Sequence, residues 1–283
     1  MSTANKQLLF DLSKVDWIAP FGLTTLSATI LACLRGGKSC SWDPPTQLPC
    51  REYLTRIGFD QLFLPNGAAA LQKSTSVELK NLHDIDAGYV EALTDVLCGK
   101  IRLTEDQRSQ LFMHLIELMQ NAKDHARSRM GYFVCAQSYP TRGTVRISFV
   151  DVGRGIPTLL RTLERYEGVK DDAKLIEEAT EAGVTTRKRR PGGMGLTFIR
   201  QYLRESQGTL SIVSERGKVT FQPKKIIRRT NRAGERPFPG TAIEHPDASG
   251  GLRTAGCISE STSKRYAGRA RSRGRTALAS TGS

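Results

Sequence analysis

The sequence predicts a mixed α/β fold in two units, a small one at the N-terminus and a larger one in which long helices and antiparallel strands alternate. Three observations carry that prediction. Runs of two different periods follow one another: "GLTTLSATILACL" and "SQLFMHLIELMQNAKDHA" repeat at helical spacing, whereas "GYFVCAQSY" and "TVRISFVDV" are short apolar or alternating runs joined by "PTRG". The stretch "LPNGAAALQKSTS", rich in small residues and turn formers, separates two such sets. With 283 residues, 39% of them hydrophobic, the chain can build one sizeable core beside a smaller domain or tails.

Taken in order, "QLLFDL" reads as a strand, "SK" as a turn and "VDWI" as a second strand. A helix follows from about Phe21 to Arg35 and stops at Gly36 and Gly37; "KSCSW" is a weak strand, "DPP" a turn and "LPCREYLTRIGFDQLF" a helix. These elements make the first unit, residues 1–66, and residues 67–76 are its linker. The second unit, residues 77–246, opens with a helix across "AGYVEALTDVLCG". "TEDQ" then predicts a capping box, with Thr104 and Gln107 satisfying each other's backbone amides at the start of a long helix. Two antiparallel strands, a helical "DDAKLIEEATEAG" and a charged glycine loop opening a helix come next. Strands "TLSIVSE" and "KVTFQ" follow, and "GTAIEH" closes the unit across a basic loop. Residues 247–283 are rich in Ser, Gly, Arg and Ala and bury too little to offset ordering, so they are expected to be disordered.

Net charge is +14, but Lys224 to Ser283 holds 13 Lys/Arg against 4 Asp/Glu, leaving 29 against 24 before it. The tail is therefore expected to give at most weak, salt-sensitive contact with nucleic acid, because its arginines are not interleaved with aromatic residues. Six cysteines lie scattered without a paired motif or a histidine at ligand spacing, which reads as reduced cytoplasmic thiols. No run reaches the roughly 18 to 20 apolar residues of a membrane span. The flank of the nearest candidate, Gly22 to Leu34, carries Asp11 and Asp16 where a leader would be positive, so no membrane role is expected.

The long helix poses the chemical question. Leu111, Phe112, Met113, Leu115, Ile116, Leu118, Met119 and Ala122 make it apolar around most of its circumference, yet His114, Glu117, Asn121 and His125 draw one polar stripe at steps of three or four. Such a stripe needs partners: water, an internal hydrogen-bond network or a ligand. Three further features sit beside it. "VDVGRGIP" places Asp151 at a strand end with Gly153 and Gly155 beyond, suited to close approach by a flat ligand. "PGGMGL" ends at a helix start, whose free amides suit phosphate. "PGTAIE" puts Thr241 at the start of the last strand.

In this order, E-x-x-x-N, D-x-G-x-G, G-G-x-G-L and G-T resemble the ATP-binding domain of the GHKL superfamily over roughly Ala70 to His245. The resemblance implies an α+β two-layer sandwich of Bergerat type and ATP with Mg²⁺ as cofactors. It makes Asn121 the Mg²⁺ ligand, Glu117 the base, and Asp151 the acceptor for adenine's exocyclic amine with Gly153 and Gly155 beside it. Gly192, Gly193 and Gly195 would wrap the phosphates and Thr241 would reach toward adenine. Arg187, Lys188, Arg189 and Arg190 would lie in the mobile lid, the alternative being a solvated charge run; His125 is either a site residue or structural.

"LLFDLSKVDWIAPFGLTTLSATI" followed by "CREYLTRIGFDQLF" is similar to a short STAS domain over about Lys6 to Pro65. Relatives switched by phosphorylation carry Ser or Thr just before the glycine of the strand-to-helix turn. Phe21 stands there in this chain, which favours docking over a phospho-switch, with Thr24 and Thr25 as alternative acceptors. Together the resemblances imply an ATP-binding signalling regulator of the anti-sigma or serine-kinase type, partnered by a STAS-domain protein or a sigma factor. A nucleotide-gated adaptor without turnover is an alternative. A histidine kinase would need a helical hairpin with a phosphoacceptor, for which His83 in "LKNLHDID" is badly placed, and a DNA-acting clamp would need a transducer domain after the ATP site.

Overall fold

The chain opens with β1 (Gln7–Asp11), α1 (Pro20–Arg35), β2 (Ser39–Asp43) and α2 (Leu48–Ile57). The structure is a computed structural model and describes residues 7–63, 75–98, 104–126, 128–181, 184, 196–197, 200, 208–231 and 235–244. Pro20 starts α1 with its φ already set for a helix, and Gly58 ends α2 in the left-handed region, φ 84°. β1 and β2 run parallel, Gln7 opposite Ser39 and Asp11 opposite Asp43. "VDWI" forms no strand. The chain turns there, Val15 N–H bonding Leu12 O at 2.9 Å, and must reach Pro20 ready to begin the helix.

Next come β3 (Ser76–Leu82), α3 (Ala87–Cys98), α4 (Glu105–Ala126), β4 (Tyr132–Tyr139) and β5 (Thr144–Asp151). They are followed by the short α5 (Ile156–Leu160), α6 (Asp172–Glu178), β6 (Leu210–Glu215), β7 (Gly217–Gln222), β8 (Lys225–Thr230) and β9 (Phe238–Glu244). Seven strands form one sheet in the order β3-β4-β5-β9-β6-β7-β8, each antiparallel to its neighbours. The predicted capping box opens α4: Thr104 N–H donates to Gln107 Oε1 (3.0 Å) and Gln107 N–H to Thr104 Oγ1 (3.3 Å). Two strands were absent from the sequence reading. β3 falls where a linker was expected to end, and β8 occupies the expected basic loop, its charged residues held extended by pairing with β7.

One face of the sheet carries α3, α4 and α6. Leu111, Leu115, Leu118 and Met119 of α4 and Val90 and Leu93 of α3 pack against Val134, Ala136, Val145, Ile147 and Phe149. Farther along, Ala173 and Ile176 of α6 pack on Leu210, Ile212, Val219 and Phe221. The other face is covered by the N-terminal elements. Leu23, Ala28 and Ile30 of α1, with Tyr53, Leu54 and Ile57 of α2, share a cluster with Leu79, Phe133, Cys135, Val150 and Ala242. Inside this contact Thr24 Oγ1 and Ser148 Oγ meet at 2.8 Å, both residues 0% exposed. Thr24 thus lies inside the fold, where a kinase has no access to its hydroxyl. Trp17 stacks on Tyr53 at 4.6 Å, and Trp42 packs edge-on against Phe59 and Phe63.

Among the described residues no helix is long and apolar enough to cross a membrane, and no three His, Cys, Asp or Glu side chains gather as metal ligands. Cys33, Cys40, Cys50, Cys98 and Cys135 are free thiols. The expected tail from residue 247 and nearly all of the expected linker lie outside the described residues.

Candidate functional site

The site is assembled where β5, β9 and β6 end side by side. Asp151 is the last residue of β5; it stands opposite Thr241 of β9, which stands opposite Ser214 of β6. Strand alternation sends all three side chains to the helix-bearing face, because Val150, Ala242 and Val213 beside them join the cluster on the other. The result is a polar row across three strands at the rim of an apolar sheet.

Asp151 is only 6% exposed. Burial pushes its carboxyl up to about 7, against the pull of two backbone amides, Gly153 N–H and Thr241 N–H, the former at 2.9 Å. A carboxyl held at such a point readily accepts a hydrogen bond from an amine that enters with a ligand, since that donor relieves the desolvation of its charged form.

Glycines bring the backbone close around it. Gly240 has φ 103°, and a Cβ there would stand 2.2 Å from Asp151 O. A Cβ on Gly155 would stand 2.7 Å from Glu215 Cγ and 2.8 Å from Ser214 Oγ. Ser214 braces the loop: its hydroxyl accepts from Ile156 N–H (2.9 Å) and lies 2.7 Å from Gly240 O and 3.2 Å from Thr241 Oγ1. Ser214 was not singled out from sequence, and Gly240 entered only as the glycine of the G-T motif, with no role of its own. A serine in "SIVSE" carries no local signal, and its role follows from strands it meets only in space.

α4 lies on the same sheet face. His114, Glu117 and Asn121 are half-buried on it, and each takes part in a polar or electrostatic interaction. Burial lowers the pKa of the His114 imidazole, while the charge of Glu117 pulls it back up, so these two members of the stripe sense each other. The side chain of His125 lies outside the described residues, as do Gly192, Gly193, Gly195 and the run Arg187, Lys188, Arg189, Arg190.

The exit of that glycine loop is described. Leu196 packs against both the α3–α4 cluster and the α6 cluster, as does Ile243 of β9. Thr197 Oγ1 donates to Thr180 O (2.9 Å), and Arg200 bonds Thr180 Oγ1 (3.0 Å) and Glu181. Leu196 therefore stands at the seam between α4 and α6, over the strand that carries Thr241. On the outer side the excursion from α5 to α6 is fastened down. Arg161 donates to Val169 O (3.0 Å) and to Asp172, whose other oxygen accepts from Arg216 N–H (3.0 Å).

Helices on one face of an antiparallel sheet and a buried strand-end carboxyl with close-packed glycines beside it are the outline of one class of nucleotide-binding domain. Residues 106–226 match the family model of the histidine kinase-, DNA gyrase B- and HSP90-like ATPases, so a GHKL-type ATPase domain occupies that span. The span contains Glu117, Asn121, Asp151 and the glycines of both motifs; Thr241 lies beyond it. Domains of this family bind ATP, usually with Mg²⁺. No curated protein matches the chain.

Proposed function

We propose that the protein is an ATP-binding signalling regulator of the anti-sigma or serine-kinase type, in which a GHKL pocket takes Mg-ATP and a STAS-like N-terminal unit serves as a docking surface. The observation that carries this reading is Asp151: a buried carboxyl, raised toward neutrality, ringed by close-packed glycine backbone and aligned with Thr241 and Ser214. In this reading it accepts adenine's exocyclic amine, with Gly153 and Gly155 leaving room for the ring and Thr241 reaching toward the same side. Gly192, Gly193 and Gly195 wrap the phosphates.

Asn121 would offer one side-chain oxygen to Mg²⁺, a hard cation that favours oxygen donors. The ion would supply positive charge against the phosphates. Glu117, one helical turn before Asn121, orients the attacking water or hydroxyl and accepts its proton. The parallel β1-α1-β2 unit supports a STAS-like reading of the N-terminus, and its seat on the back of the ATPase sheet gives a partner bound there a route to the site.

Nucleotide titration and turnover of two variants test this. Asn121→Ala should weaken Mg-ATP binding and remove its magnesium dependence. Glu117→Ala should keep binding while turnover, measured with and without a STAS-domain protein, falls by something on the order of 10²–10⁴. Both must first unfold at the wild-type temperature. Equal loss of affinity in the two would make Glu117 a binding residue, and undiminished turnover in Glu117→Ala would leave a nucleotide-gated adaptor as the better account.

A further inference from the structure

The back of the sheet changes character at its far end. There β7 presents Lys218, Thr220 and Gln222, and β8 presents Lys225, Ile227 and Arg229, since Val219, Phe221 and Ile226 point the other way into the α6 cluster. The apolar cluster under the N-terminal unit reaches Val213 of β6 and includes no residue of β7 or β8. Lys218 and Arg229 stand directly opposite each other in register, and like charges so placed destabilise a sheet. None of the six side chains is a carboxylate, and among the described residues no ion pair reaches Lys218, Lys225 or Arg229. Arg228, on the opposite face, is paired with Glu177.

β8 is also the last strand of the sheet, and no described strand pairs with its outer edge. A charge on an edge strand is a common guard against unwanted pairing, and a single lysine serves that purpose. A like-charged pair in register goes beyond it, carrying a cost that a bound anion relieves. Along β8 the outward residues alternate cation, half-buried isoleucine, cation, each about 6.8 Å from the next, so the two cations lie about 13 Å apart at the strand repeat.

We propose that the outer edge of β8 docks an extended acidic segment of a partner protein, which adds as an eighth strand with carboxylates against Lys225 and Arg229 and an apolar residue against Ile227. Charge selects the occupant. A second copy of this chain would set the same cations edge to edge, and the chain's own C-terminal "RYAGRARSRGR" has the same sign. Nucleic acid is disfavoured because this face offers no aromatic ring for a base and interrupts its cations with isoleucine. Strand addition uses both features present here, backbone groups for affinity and alternate side chains for specificity. The inference stands apart from the ATP-site reading and does not depend on it.

The full chain should bind a labelled peptide of repeating Glu-Thr-Val-Thr, in which glutamate and valine alternate along one strand face, more tightly than a peptide of the same composition with all glutamates in one block. Two further alternating peptides, N-methylated on one backbone edge or on the other, report strand pairing: one should lose binding and the other keep it. K225E/R229E should weaken the alternating peptide about tenfold or more and leave ATP affinity unchanged. Equal binding of the block peptide, equal tolerance of both methylated edges, no effect of the double substitution in a folded protein, or no peptide binding at all overturns the proposal. Tighter binding of a single-stranded or duplex DNA 12-mer, lost in K225E/R229E, overturns it in favour of nucleic acid. Should the double variant fail to fold, the methylated pair on the unaltered protein still decides.

Discussion

The two faces of the seven-stranded sheet use the same strands for opposite purposes. On the helix face the rim is polar: Asp151, Thr241 and Ser214 in a row, with a carboxyl that burial has pushed toward neutrality. On the back, one residue away along each strand, Val150, Ala242 and Val213 are apolar and lie in the cluster formed with α1 and α2. Two side-chain hydrogen bonds among the described residues join α1 to the sheet there, Thr24 Oγ1 with Ser148 Oγ and Cys135 Sγ to Pro20 O. The period of two that defines a strand keeps a polar surface and an adhesive one on a single backbone.

The comparison breaks most visibly on the adhesive side. Phe133 is fully buried on the back of β4, between the sheet and the N-terminal unit. Phe133→Ala should cost about 3–5 kcal/mol of stability through lost burial and a cavity. Chemical denaturation should show one transition at a lower midpoint. Two resolved transitions would mean that the N-terminal unit is a separate body and that the back face is not a shared core.

On the polar side, Asp151→Asn should act in the opposite direction. The carboxyl rises from 3.8 to about 7 on folding, so between those values the folded protein holds a proton that the unfolded chain has lost. Stability from this group is therefore highest below about 4 and declines as pH rises to about 7. Removing the charge should stabilise the nucleotide-free protein by roughly 2–4 kcal/mol at pH 8 and little at pH 4, while ATP affinity falls. Thermal unfolding at both pH values, with and without ATP, measures this. A loss of stability at pH 8 would show that the ionised carboxylate is well solvated in the folded state.

The smallest effect sharpens the boundary between the faces. Thr24→Val leaves Ser148 Oγ buried without its partner and should cost about 1–2 kcal/mol. Adding Ser148→Ala should recover part of that loss, since an apolar pair of similar shape leaves nothing unsatisfied. ATP affinity should not change in either. A drop in affinity comparable to that of Asp151→Asn would tie this hydroxyl pair to the site.

Local chemistry made much of this legible. The capping box of α4 and the polar stripe behind it are written in consecutive residues, and "TVRISFVDVGRG" announces both a buried strand and the turn after it. "GYFVCAQSY" shows no clean alternation because β4 is covered on both sides, which signals two coverings without saying what they are. That gap is why sequence alone gives the first sixty-odd residues no stated neighbour; Leu23, Tyr53 and Ile57 share a cluster with Phe133 and Val150. β8 was hidden for a related reason. "KIIRRT" is too charged to look like a strand, and its extended form is imposed by β7 beside it. Ser214 and Gly240 gain their roles from contacts across strands that no window of sequence contains.

Both tryptophans of the chain, Trp17 and Trp42, belong to the N-terminal unit, one 44% exposed and stacked on Tyr53, the other edge-on to two phenylalanines with its indole N–H on Asp60. The ATPase domain has none. Intrinsic fluorescence therefore views the molecule from one side only: its emission reports the layer behind the sheet, and any change in it on adding nucleotide is a signal that has crossed from the opposite face.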